Sequence, residues 1–443
     1  MAGVSRETPA GNVPVMRRRL RHCLGHCLGD RRWLGIALLA AIPLLAACTI
    51  SNDPDGWAQP IAAEVEGRPV IIARVEDKLI GAIDLDRADA IVWMFPGAAA
   101  GRPESDDDDR PFPGLDDPVD AQGFYGAPAT IGANDDEFVV ADHNEGVVYA
   151  IRRDGSSARV LLDTGVPVIA GVVVADDART IFVATTDERV YAIDTENPPR
   201  DVDDHEAFVW PPAEVEGRIW GTPALVRSET HGPLLIVPTM SGHVSALRTS
   251  DGTTAWTFVS GAGIASDVAI DGGLAFFGGF DRTFYAVDIE SGDLRWSAQG
   301  AHWFWTNALA VNGAVYAGDL HGAVWAWDAQ TGAARWPEPF QAGERIRAQP
   351  ALTAAGELVI ITREGTLLAV DPETGAQIWG DPETPLRTSN RVLATPLVLD
   401  DGSLVISDDQ GVLWRSRVGA GRVCQVYPDR NLECERLLDT DRG

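Results

Sequence analysis

The side chains with chemistry to offer stand at the start of short alternating apolar runs. They are Tyr125, Trp220, Trp303, Trp305, Arg345, Arg347 and Gln349. Aromatic faces beside guanidinium groups can stack on a flat ligand and pair with its carboxylate. The same residues can close a channel mouth and pack neighbouring units together, and packing is the expected use. Other candidates are weaker. The run Asp106-Asp107-Asp108-Asp109 lacks the spaced ligands and closing Glu of a calcium loop, so it reads as a solvated charge run. His143, His205, His231, His243, His302 and His321 fall in or beside expected turns. Cys23 and Cys27 have no second pair to complete a metal site. No metal ligand set and no catalytic group is expected.

Charge and targeting narrow the setting. The 443 residues carry 65 acidic and 36 basic side chains, a net charge of −29. That excludes sequence-independent binding to a phosphate backbone and disfavours adsorption to anionic lipid through a basic patch. Arg17-Arg18-Arg19-Leu20-Arg21 and Arg31-Arg32 precede an apolar run from Trp33 to Ala47. A basic region, a short apolar core and small residues before a cut site form a secretory signal, expected over residues 1–47. Leu45-Ala46-Ala47-Cys48 is similar to the lipobox at which a cysteine thiol takes a diacylglyceryl group, so Cys48 is the expected lipidation site. Residues 48–57 would be a tether. In an exported chain the remaining pair, Cys424 and Cys434, suggests a disulfide that fastens the chain end.

An internal repeat determines the fold class. Ala-x-Asp-x-x-(Thr/Ser)-Gly-x-x-x-Trp occurs from Ala286 to Trp296, from Ala326 to Trp336 and from Ala369 to Trp379. A fourth copy keeps the spacing through Ala246, Arg248, Gly252 and Trp256; looser copies pass through Asp84 and Trp93, Arg152, and Asp194 and Trp210; an eighth passes through Arg417 with Gln425 in the Trp slot. Each unit reads as four short strands, as in 307–311, 314–318, 323–328 and 333–336, with Asn312-Gly313 as a hairpin turn. Units of this length that cannot bury their faces alone predict an all-β, eight-bladed propeller of four-stranded antiparallel blades over 58–427, with a tail at 428–443. Trp93, Trp210, Trp256, Trp296, Trp336 and Trp379 are the expected wedges between blades. The stretches 97–122 and 196–217 read as exposed loops between blades.

The repeat resembles the tryptophan-docking motif of pyrroloquinoline-quinone-like propellers, and with the lipobox it is similar to the outer-membrane assembly factor B lipoproteins. That resemblance implies a non-enzymatic envelope scaffold that binds proteins, among them a barrel-assembly machinery, with no quinone and no calcium. It also implies a lipid anchor on the periplasmic side of an outer membrane where the host has one, and otherwise at the cell surface. Quinone-dependent dehydrogenases share the motif, but their vicinal disulfide and calcium cluster have no counterpart in this sequence. A surface propeller that binds a small ligand or glycan is the other alternative.

Overall fold

A computed structural model describes residues 58–75, 79–87, 90–97, 112–116, 119, 123–199, 201–380, 386–417 and 422–428. The expected signal and tether, the four-Asp run and Cys434 lie outside them. The chain divides into two units, and the second, 54–443, contains every described residue. All regular elements among these residues are strands.

Eight antiparallel sheets, spanning 61–95, 129–163, 173–214, 224–259, 269–299, 309–341, 351–387 and 397–427, are each built from consecutive strands. The fifth blade shows why. Its strands are Ala269–Asp271, Leu274–Gly278, Thr283–Asp288 and Leu294–Gln299. Leu274–Gly278 is buried at every position, because both faces of a middle strand meet a neighbouring blade. Leu294–Gln299 keeps mainly Trp296 inside.

Eight apolar clusters join the blades pairwise around a closed ring. The last joins end to beginning. Ile71, Val75 and Met94 of the first blade pack on Val405, Leu413 and Tyr427 of the eighth. The Tyr427 hydroxyl donates to Met94 Sδ at 3.9 Å. Among the described residues no strand is exchanged between the first and last sheets, and side-chain packing joins them.

The repeat motif is the latch between blades. In the fifth blade Ala286 pairs with Trp296, and a β-bulge next to that pair re-aims the indole across the cleft. Its N–H donates to the carbonyl of Ala329, one residue past the Asp328 anchor of the next blade, at 2.8 Å. Trp93 reaches Arg153 O, Trp210 reaches Thr249 O, Trp256 reaches Ile289 O and Trp336 reaches Pro372 O, all at 2.9–3.0 Å. Each acceptor directly follows an anchor position. The anchor carboxylate shapes the receiving turn: Asp328 Oδ1 accepts from the Thr331 N–H at 2.9 Å and its hydroxyl at 2.7 Å. Gly332 then lies flat beneath the indole of Trp296, where a Cβ would come within 2.6 Å of the ring at a φ of +69°.

Three expectations change. Trp379 donates to Glu357 Oε2 of its own blade at 3.0 Å rather than to a neighbouring carbonyl. The outer strand there is split into Gln377–Trp379 and Leu386–Arg387, both on Thr366–Val370. In the sixth blade the outer strand is Phe340–Gln341 and not 333–336, with Ala334 bridged singly to Trp327. Pro337 and Pro339 lack the N–H groups a ladder needs, so pairing resumes after them. Finally, 196–217 is not a connection between blades. It lies inside the third blade and contains its outer strand, Trp210–Glu214. In 97–122, Phe112 is buried edge-on against Phe95, centroids 5.1 Å apart.

Candidate functional site

A repeated triplet of a variable, a small and a mostly polar residue precedes the innermost strands. Examples are Trp220-Gly221-Thr222, Ala265-Ser266-Asp267 and Trp305-Thr306-Asn307. The small residue is imposed by the approach of successive blades. A Cβ on Gly221 would stand 2.0 Å from the Ser266 carbonyl oxygen. The third residue staples blades on the inside as the Trp does on the outside. Gly171 N–H donates to Thr222 Oγ1 at 3.0 Å, Thr222 N–H to Asp267 Oδ1 at 2.6 Å, and Asp267 N–H to Asn307 Oδ1 at 2.8 Å. Asn307 Nδ2 returns a bond to Asp267 Oδ2 at 2.7 Å. Burial pushes the Asp267 carboxyl above its ordinary range, against the pull of the Thr222 and Asn307 donors.

These triplets surround a cavity of about 230 Å³ at the centre of the blades. Four of the residues singled out from sequence meet there: Tyr125, Trp220, Trp305 and Arg347. The Arg347 guanidinium lies 4.1 Å above the Trp305 ring, a cation–π contact. Trp220 and Trp305 have centroids 6.2 Å apart at 46°. Burial, with the charge of Arg363 beside it, lowers the Arg347 pKa to about 10, which leaves it fully charged near neutrality. Tyr125 is capped by His143 at 4.2 Å. Asp267 and Asn307, with Gln59, Thr222 and Thr395, form the uncharged and acidic polar part of the wall.

An aromatic rim adjoins the cavity wall at Trp305. Phe280 touches both Trp303 and Trp305, each with centroids 5.2 Å away, and Trp303 is 42% exposed. Arg345 is exposed and does not line the cavity. Gln349 is used structurally, its Nε2 donating to Ala308 O at 2.7 Å. Among the described residues no three His, Cys, Asp or Glu side chains group to hold a metal ion. Cys424 is buried and disulfide-bonded.

Asp267, Asn307 and Phe280 do not stand out in the sequence. Asp267 and Asn307 hold the third place of the triplet, where aligning the triplets exposes them, whereas Phe280 lies in the turn between Leu274–Gly278 and Thr283–Asp288. Arg159 does not stand out either. It pairs with Ala150 in the slot where other blades place Trp, and its Nη1 donates to Thr195 O at 2.7 Å.

A family model described as outer membrane protein assembly factor BamB matches residues 240–425. The chain is an eight-bladed propeller that resembles the PQQ-like repeat propellers and BamB. BamB of Yersinia pestis is 24% identical over 216 residues, 45% of this chain. The match spans 52% of that BamB, about half its length. Among solved structures, a computationally designed protein, Ika8, superposes with a TM-score of 0.57 at 15% identity, over 82% of this chain and 98% of its own. BamB from Moraxella catarrhalis gives 0.47 at 17% identity, over 64% and 94%. The Ika8 likeness concerns the fold. The matched segment, 240–425, contains the three strictest motif copies together with Trp303, Trp305 and Arg347.

Proposed function

We propose that this chain is a non-enzymatic scaffold of the cell envelope, exported, lipid-anchored through Cys48, and binding envelope proteins that include a barrel-assembly machinery. The observation that carries this reading is the match of residues 240–425 to outer membrane protein assembly factor BamB. The rim supports it. Trp303, exposed and stacked on Phe280, offers a partner segment an apolar anchor. In this reading the latches serve rigidity, holding the loops of eight blades in fixed relation so that a partner meets a preformed surface.

The reading includes no pyrroloquinoline quinone and no calcium. Affinity capture of the processed protein from detergent-solubilised membranes tests it. Barrel-assembly components should co-purify, and addition of the quinone with calcium should give no dye reduction with alcohols or aldoses. Stoichiometric quinone binding with calcium-dependent activity would replace the scaffold with an enzyme.

A further inference from the structure

The scaffold reading makes no use of the cavity. Its wall combines three kinds of group. Tyr125, Trp220 and Trp305 supply flat apolar faces, Arg347 supplies donors, and Asp267 supplies an acceptor. Aromatic faces favour a ring, and a guanidinium matches a carboxylate with paired N–H donors. Asp267 already accepts from Thr222 and Asn307, yet a carboxylate has about four lone-pair sites, so it retains capacity towards the cavity. Size sets the class further. About 230 Å³ is below the roughly 300–1,000 Å³ of pockets for drug-sized ligands, which suits one ring and not a fused polycycle.

We propose that the channel cavity binds a small monocyclic aromatic carboxylate. Its ring lies against Trp220 and Trp305, its carboxylate meets Arg347, and a hydroxyl or amine on the ring donates to Asp267. Burial sharpens the preference, because a carboxylate brought beside Arg347 in a partly dehydrated site gains more than it would in water.

The test uses full-length processed protein extracted from membranes, with benzoate, 4-hydroxybenzoate and phenol as probes in ligand-observed saturation-transfer NMR. 4-Hydroxybenzoate should bind saturably and tighter than benzoate. Arg347→Met should weaken both acids by about tenfold or more and leave phenol unchanged. Asp267→Asn should remove the advantage of 4-hydroxybenzoate over benzoate. If Asp267→Asn does not fold, the acids-against-phenol comparison in Arg347→Met decides alone. Equal binding of the acids to wild type and Arg347→Met would overturn the proposal, and so would failure of either acid to saturate the wild type.

Discussion

The guanidinium of Arg159 donates to the carbonyl of Thr195 at 2.7 Å, the same acceptor position that five other blades fill with an indole N–H. Arg159 is also forked on Glu137, at 2.9 and 2.6 Å. What these six latches supply is therefore a donor for the carbonyl after the anchor. The side chain is half-exposed, so its ion pair contributes little and the hydrogen bond to Thr195 contributes most of its effect. Arg159→Ala should destabilise by about 1–2 kcal/mol, and Arg159→Lys should recover only part. A urea denaturation series checks this, and a loss as large as that of a docked Trp is not expected.

Trp296 should matter more. Its ring is buried against Phe276, Phe284 and Trp327 as well as bonded to Ala329 O. Trp296→Ala should cost about 3–5 kcal/mol through lost packing and the cavity left behind. Gly332→Ala should be destabilising in its own right by about 1–3 kcal/mol, because a Cβ would strike that indole in a left-handed backbone conformation. Thermal melts of both variants, with Trp379→Ala for comparison, test the latch. Trp379, bonded within its own blade, should give the smallest shift of the three.

Acid should loosen the ring. Glu290 accepts from the Ser228 hydroxyl at 2.7 Å, Glu229 N–H at 2.7 Å and Thr230 N–H at 3.0 Å, clasping a turn of the preceding blade. Those donors, the Ser228 hydroxyl foremost, draw its pKa down to about 2. Asp194 is held below the usual carboxylate range by Arg179. A depressed carboxylate contributes stability that is complete above its unfolded value, about pH 4, and is lost as pH falls through the folded value. Asp267, raised by burial, has the opposite sign, contributing below about pH 4 and losing that contribution as pH rises. The depressed groups outnumber it. The urea midpoint should therefore hold steady from pH 7 to 5 and fall below about pH 4, and Glu290→Gln should flatten part of that acid limb.

Processing gives a separate prediction. Cys48→Ser should leave an unlipidated precursor, read by loss of a fatty-acid label. Non-reducing mass spectrometry should show Cys424 linked to Cys434.

The ring was legible because the Ala–Trp pair and the Asp-led turn are packing requirements that recur about every 40 residues. The Asn312-Gly313 turn was equally readable, with φ values of +53° and +73° that few other residue pairs accept. Arg159 escaped notice because the latch constrains a donor and not a letter. The Thr331-Gly332 turn points to Ala333–Trp336 as the outer strand of the sixth blade, but Pro337 and Pro339 move the paired strand to Phe340–Gln341. Tyr125, Trp220, Trp305 and Arg347 stood out by size. Asp267 and Asn307 did not, because their roles come from bonds across 40 and 45 residues of sequence, which local patterns do not reveal.

The scaffold reading places its partner at the aromatic rim. A photo-cross-linking residue at position 303, on the exposed rim, can be compared with one at position 259, on the exposed outer strand of the fourth blade. Cross-linking in intact cells, with adducts identified by mass spectrometry, tests the claim most directly. The account predicts a discrete adduct with a barrel-assembly component from position 303 and none from position 259. Adducts absent at 303, or equal at both positions, would contradict it.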